Sequence, residues 1–165
     1  MTTGAKADSR LLITLPSDRE IAMTRVFDAP RRLVYEALTK PELVSRWLGV
    51  FDGHTMPVCE IDLRVGGKYR YVWRLPKGVD MGMGGVYREI VPGQRIMATE
   101  KFDDPWYEGE AVGTTTLVEK DGRTTMTMLV QYESKAVRDA VLKTPMDTGV
   151  AASCDVLEGI LKSQR

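Results

Sequence analysis

The stretch from Val58 to Phe102 alternates apolar and polar residues with a period of two, the pattern of β-strands with one buried face. Gly66-Gly67 and Pro92-Gly93 interrupt it, and such residues form the tight turns of β-hairpins. The stretch therefore predicts four strands in two antiparallel hairpins, the first strand reaching Val65 with Leu63 and Val65 on its apolar face. The second predicted strand carries three aromatic side chains on one face, namely Tyr69, Tyr71 and Trp73. Such a sheet has to be covered by another part of the chain.

Shorter elements flank this stretch on both sides. Arg19–Asp28 is predicted as strand 1, and Pro30 and Pro41 then open two short helices, because the fixed φ of proline suits the first helical turn. Downstream, Asp121-Gly122 is the strongest short hairpin signal in the sequence and predicts two more strands around it. Together with the four central strands, these segments predict a sheet whose strands run antiparallel throughout.

The C-terminal segment predicts a long amphipathic helix from Pro145 to about Ser163. Thr144 is predicted as its N-cap, with Asp147 three residues later. Its apolar stripe is Val150, Cys154, Leu157 and Leu161. Such a helix spans roughly 28 Å, enough to lie across six or seven strands. The predicted fold class is therefore α+β, a helix-grip in which a curved antiparallel sheet of six to seven strands surrounds the C-terminal helix, with two short helices after strand 1.

Composition excludes several classes of function. The chain has 165 residues with 23 basic and 23 acidic side chains, and this balance argues against binding of nucleic acid. No apolar run approaches the roughly 20 residues of a membrane helix, so no membrane insertion is expected. Residues 1–10 lack the apolar core of a signal peptide and are predicted to be a flexible tail, which favours a cytoplasmic location.

Metal and cofactor sites are not expected. Cys59 and Cys154 are the only cysteines and His54 is the only histidine, too few for a zinc site or a disulfide framework. The sequence also lacks the Gly-x-Ser-x-Gly elbow of an activated serine and the ending of a phosphate-binding loop. The remaining candidates for catalysis are Glu100 and His54, as acid or base at neutral pH.

The better indication of function is a set of aromatic and flexible apolar side chains on the predicted sheet and helix. Aromatic rings offer a large contact area to a flat ligand, and methionine adapts to irregular shapes. If these residues face a cavity they bind a ligand, and if they do not they fill the core. Glu100 is a polar anchor if it points inward and an ordinary surface charge if it points outward. The candidate ligand-binding residues are Trp47, Tyr71, Trp73, Met83, Tyr87, Glu100, Met128, Val150, Cys154 and Leu157.

Several segments together resemble one known superfamily. They are Met23–Pro30 followed by Leu33–Ala37, Arg46-Trp47, Asp62–Arg70 and Gly85–Pro92. The chain resembles the START-like superfamily, also called SRPBCC, over residues 19–163, and within it the bacterial homologues of the C-terminal domain of the heat-shock-protein-90 ATPase activator. The resemblance implies that residues 11–165 form one helix-grip domain. It implies no particular activity, because lipid carriers, aromatase/cyclases, antibiotic-sequestering proteins and co-chaperones share this scaffold.

Three functions follow from these observations. The favoured one is a binding protein that holds a small apolar ligand, aromatic or lipid-like, between the terminal helix and the sheet. The alternatives are an enzyme of the cyclase or hydrolase type that uses Glu100 or His54, and a module that docks on a chaperone through an exposed apolar patch. Homodimerisation stays open as well.

Overall fold

The structure is a computed structural model that describes residues 10–107 and 109–164. Within these residues it contains eight strands and four helices. The strands are β1 (Leu12–Thr14), β2 (Glu20–Phe27), β3 (Thr55–Ile61), β4 (Lys68–Arg74), β5 (Asp80–Val91), β6 (Arg95–Phe102), β7 (Ala111–Lys120) and β8 (Arg123–Gln131). The helices are α1 (Arg31–Thr39), α2 (Pro41–Trp47), α3 (Lys135–Leu142) and α4 (Met146–Ser163).

The strands form one antiparallel sheet in the order β1-β2-β8-β7-β6-β5-β4-β3. The predicted α+β helix-grip is confirmed, with eight strands in place of six to seven. The additional strand is β1, which pairs Leu12 with Thr24 and is only three residues long, too short to show a period in the sequence. The two short helices consequently follow the second strand. The predicted tail 1–10 lies, apart from Arg10, outside the described residues.

Two predicted strand boundaries in the central stretch were wrong. β3 ends at Ile61, and Asp62–Gly67 forms a turn in which the Asp62 amide donates to Lys68 O at 2.9 Å. Leu63 and Val65 are therefore exposed in this turn. β5 begins at Asp80, whereas the sequence pattern predicts its start at Gly84, because residues 80–84 continue the ladder to β4. Alternation alone did not reveal either boundary.

The hairpin between β7 and β8 is confirmed. Asp121 and Gly122 both have positive φ, 54° and 77°, the requirement of the two-residue turn that suits twisted strands. A close approach of backbones occurs farther along the sheet, where a Cβ on Gly85 would overlap Thr99 O. Only glycine permits β5 and β6 to approach this closely at that point.

The N-termini of the two C-terminal helices are capped differently. Ser134 caps α3, since its hydroxyl accepts a hydrogen bond from the Val137 amide at 3.1 Å. The predicted Thr144 cap of α4 is wrong, because Pro145 occupies the N-cap position and Thr144 Oγ1 instead donates to Val141 O at 2.7 Å. Thr144 follows α3, whose last carbonyls have no donor within the helix. Its hydroxyl bonds one of these carbonyls and does not cap α4.

Helix α4 lies in the hollow of the sheet and is held there by its second half. Cys154 and Leu157 are fully buried in a core cluster with Phe27, Val34 and residues of α1 and β8. Arg25 of β2 adds a polar clamp, since its Nη2 donates to Asp155 Oδ1 at 2.8 Å and to Glu158 Oε2 at 3.2 Å. Such packing leaves no gap beneath this half of the helix. Among the described residues, no helix has the length and apolar character needed to cross a membrane.

Candidate ligand-binding cavity

A cavity of about 370 Å³ lies between the sheet and the first half of α4. Volumes of this size are typical of small-molecule sites. Two core clusters lie on either side of the cavity. One is under the aromatic face of β4, and the other is around β2, β8 and α3. The walls of the cavity come mostly from strands β4 to β8, and Met146 and Val150 of α4 close it from the helix side.

Most of the predicted ligand-binding residues lie together at this cavity. Trp47 is fixed at its wall because its Nε1 donates to Ala37 O of α1 at 2.8 Å, which also joins the two short helices. Tyr71 projects from the buried face of β4, as the alternation predicted. The predicted residues that line the cavity are Trp47, Tyr71, Met83, Tyr87, Glu100, Met128 and Val150.

Three predicted residues are buried elsewhere. Trp73 lies at the end of β4, where its Nε1 donates to Leu48 O at 2.8 Å and its ring packs directly under Gly49. Cys154 and Leu157 belong to the solid core beneath the second half of α4. All three share a face or stripe with lining residues, but the gap occupies only part of that face.

His54, the other catalytic candidate, lies away from the cavity lining. It is half-buried in the loop before β3, with its ring stacked on Phe51 at 5.1 Å and its Nδ1 2.7 Å from Phe51 O. These local contacts account for its position in the loop. Arg70 and Arg74 also lie outside the cavity and pair with Asp103 and Asp80 on the outer face of the sheet.

Glu100 points into the cavity. The sequence had left open whether this side chain points inward, as a polar anchor, or outward, as a surface charge. It projects from β6 over Gly113 of β7, and a Cβ on Gly113 would overlap its carboxylate. Within residues 10–107 and 109–164, no hydrogen bond or ion pair reaches this carboxylate. Burial raises the pKa of Glu100 from its usual 4.5 to about 7, because the charged form has lost water without gaining a partner.

Four tyrosines surround this carboxylate. They are Tyr69 and Tyr71 of β4, Tyr107 of the loop before β7, and Tyr132 directly after β8. Burial is the largest cause that raises the pKa of each phenol, and the negative charge of Glu100 adds to the rise. For Tyr107 the result is a pKa of about 12. All four phenols are thus protonated at neutral pH, and Glu100 is the charged group of the described lining.

The prediction missed Tyr69 and Tyr132 of this aromatic wall. Tyr69 shares its strand face with Tyr71, so alternation already placed it at the cavity, and its hydroxyl is anchored by donation to Thr99 O at 2.6 Å. Tyr132 continues the alternation of Met128 and Val130 beyond β8. Tyr107 lies in a loop, where periodicity carries no information.

The cavity offers apolar contact, aromatic faces and one carboxylate. Within the part of the chain that the structure describes, no group of three or more His, Cys, Asp or Glu side chains could hold a metal ion. A long helix gripped by a curved antiparallel sheet, with two short helices after an early strand, is the architecture of the START-like superfamily, and the protein is a member of this class.

Comparison with known proteins identifies the family within this class. Residues 28–162 match the family described as Activator of Hsp90 ATPase homolog 1-like protein, and the chain belongs to this family. No curated protein matches the chain significantly. The family fold supports a ligand-binding or Hsp90-activator-like module.

Solved structures agree with this fold. A Rhodobacter sphaeroides protein is 29% identical with a TM-score of 0.88, and the match covers 93% of this chain and 99% of that one. A Chromobacterium violaceum protein is 28% identical with a TM-score of 0.75, covering 88% of this chain and 98% of the other. An Hsp90 activator from Plasmodium falciparum is 21% identical, with a TM-score of 0.54 and coverage of 68% and 72%, and shows a likeness of fold alone.

Proposed function

We propose that the protein binds a small, mostly apolar molecule with a flat aromatic body in the cavity between α4 and the sheet. The observation that carries this proposal is the cavity itself, about 370 Å³ of space walled by aromatic and flexible apolar side chains. Protein cores are normally packed with few voids larger than a water molecule, so a space of this size calls for an occupant.

The wall also suits such an occupant. Tyr71 stands with its ring 5.0 Å from that of Tyr69, and Tyr87 lies 5.5 Å from Tyr69, so several ring faces and edges are offered to a flat guest. Met83 and Met128 lie at other parts of the wall and can adjust to the shape of a ligand. Trp106, beside the cavity, is largely exposed and marks a route by which a guest can enter.

Titration of the full chain with the uncharged dye phenylnaphthylamine tests the proposal. We expect dye fluorescence to rise and saturate at one dye per chain, with quenching of the Trp47 and Trp106 emission. A linear, non-saturating response at all concentrations would contradict binding in a defined cavity.

A cavity-filling variant locates the binding site. Met128→Trp places an indole in the cavity, and we expect the dye affinity to fall at least about tenfold, since the guest and the new ring compete for the same volume. The measurement is the dye titration, together with circular dichroism to confirm the fold.

Thr127→Trp is the matched control for this variant. Thr127 is the neighbouring residue of β8 and faces the other side of the sheet, next to Thr24. The Thr127→Trp variant adds an indole of the same size outside the cavity, so the affinity for the dye should stay unchanged. Equal losses in both variants would show that the dye binds elsewhere.

A second candidate function is proton-transfer catalysis in the same cavity. The inward carboxylate of Glu100, with its pKa raised to about 7 by burial, favours it, because a base with such a pKa works well at neutral pH. Nitrobenzisoxazole is a suitable probe, since a base removes its ring C–H proton while the N–O bond breaks to give a coloured cyanophenolate. A rate that rises through one ionisation near neutral pH and is lost in Glu100→Gln supports this candidate, and a rate equal to that of buffer removes it.

A further inference from the structure

We propose that the ligand is an organic cation, an ammonium group carried on a flat apolar body, and that the Glu100 carboxylate is its counter-ion. This inference rests on the proposed function of the cavity and names the class of molecule that the cavity selects. The geometry behind it is a lone acid inside an aromatic chamber, with its charge left for the guest to balance.

The first argument is charge. Among the described residues that line the cavity, Glu100 is charged and no lysine, arginine or histidine faces it. A buried carboxylate is normally paired or hydrogen-bonded, since isolation from water is unfavourable. Arg70 and Arg74 of β4 point outward and are paired with Asp103 and Asp80. The protein therefore supplies the negative half of an ion pair and leaves the positive half to a guest.

The second argument is the aromatic surroundings. Tyr107 and Tyr132 stand at 87° to each other with ring centres 5.7 Å apart, and Trp106 stands at 84° to Tyr107 at 5.1 Å. Rings set nearly at right angles form adjacent walls of a chamber. The faces of tyrosine and tryptophan rings attract ammonium groups, most strongly where water is excluded. A carboxylate and ring faces around one space are complementary to a cation from two sides.

The third argument excludes the other classes of ligand. An anion would meet the charge of Glu100 with no compensating base in the described lining. A fully neutral guest would fill the apolar part but would leave the carboxylate unpaired, so this part of the cavity would contribute nothing to its affinity. The cation alone uses both features.

The pH dependence follows from the same groups. The titratable side chains that line the cavity with Glu100 are Tyr69 and Tyr71 from β4, Tyr87 from β5, Tyr107 from the loop before β7 and Tyr132 after β8, while the lining residues of α3 and α4 carry no charge. Burial raises the pKa of all five tyrosines far above neutrality. Glu100 therefore controls the response, and it must lose its proton before it pairs with a cation.

Two probes of the same shape test the proposal on the full chain. One is naphthylmethyl-trimethylammonium, whose charge does not depend on pH, and the other is neopentylnaphthalene, in which carbon replaces the nitrogen. Their dissociation constants are measured at pH 8 by tryptophan quenching for the wild type, Glu100→Gln and Glu60→Gln. Glu60 is exposed on β3, so its variant removes the same charge outside the cavity.

We expect Glu100→Gln to weaken binding of the ammonium probe at least about 30-fold, the loss typical of a buried ion pair that loses one partner. Binding of the neutral probe should change little, and Glu60→Gln should behave as the wild type. In the wild type, the affinity for the cation should fall about tenfold for each pH unit well below the pKa of Glu100, because one proton has to leave. Glu100→Asp should retain part of the preference.

The outcomes separate this inference from the proposed function. If the neutral probe binds and the ammonium probe binds equally well to the wild type and Glu100→Gln, the ligand class is wrong while the cavity still binds apolar molecules. If neither probe binds, both the inference and the proposed function fail. A Glu60→Gln loss as large as that of Glu100→Gln would also overturn the inference, since the effect would then come from the overall charge.

Discussion

Glu100→Gln is expected to raise the free energy of unfolding by about 3 kcal/mol at pH 8 and to change it little at pH 4. Most substitutions of a buried residue destabilise a protein, so a gain of this size at a single position is a sharp test. The gain arises because the variant removes a charge that the folded state holds without a partner and that the unfolded state exposes to water.

The direction of this change in the free energy of unfolding follows from the pKa values of Glu100 in the folded and unfolded states. Burial raises the pKa in the folded state to about 7, whereas the unfolded chain keeps the usual 4.5. Below pH 4.5 the carboxyl is protonated in both states and contributes nothing to stability. Between these values the unfolded state binds fewer protons than the folded state, so wild-type stability falls as the pH rises. Above pH 7 the full difference is present, at about 1.4 kcal/mol for each pKa unit.

Urea unfolding of the ligand-free protein from pH 4 to pH 8.5 measures this effect. The wild type should lose about 3 kcal/mol across the range relative to Glu100→Gln. Glu60→Gln is the control, since it removes an exposed carboxylate and should retain the wild-type dependence on pH. Parallel curves for the wild type and Glu100→Gln would show that the carboxylate is already solvated or paired.

The orientation of Glu100 shows where sequence reasoning reaches its limit. On β6, Ile96, Ala98 and Phe102 lie on the same strand face as Glu100 and line the cavity with it. Alternation along the strand was therefore consistent with an inward Glu100. The signal was obscured because Thr99, on the opposite face, is also buried, where β5 approaches closely at Gly85. A strand buried on both faces loses the contrast on which a period of two depends.

The fold was easier to predict from the sequence than the site. The hairpin at Asp121-Gly122, the aromatic face of β4 and the stripe of α4 are local patterns, and each produced the predicted element. The position of the cavity depends on how far each half of α4 approaches the sheet. Val150 faces open space, whereas Leu157 on the same stripe is fully buried. Both residues belong to the same apolar stripe, so the sequence pattern of the helix does not distinguish them. Only the packing of the whole chain does.

The second large effect concerns the charge of Arg25, a buried side chain of β2 that pairs with Asp155 and Glu158 of α4. The double variant Asp155→Asn with Glu158→Gln is expected to lower the free energy of unfolding by about 3 kcal/mol. Arg25 is only 1% exposed, and its Nε has no hydrogen-bond partner, so the two carboxylates neutralise its guanidinium from one side. Their removal leaves a buried positive charge uncompensated. Asp155 is 69% exposed, and water reaching this side keeps the loss at the low end of the range for buried pairs.

Arg25→Met provides the matched comparison, because it removes the charge and keeps an unbranched side chain over Phe27, whose ring lies 5.6 Å from the guanidinium carbon. The carboxylates left behind are accessible to water, so this variant should stay within about 1 kcal/mol of the wild type. Asp80→Asn, which breaks an exposed pair with Arg74, should cost less than about 1 kcal/mol. Urea unfolding at pH 7 ranks the three variants. If Arg25→Met were the most damaging, hydrogen bonding and packing of the arginine, rather than neutralisation of its charge, would hold α4 against the sheet.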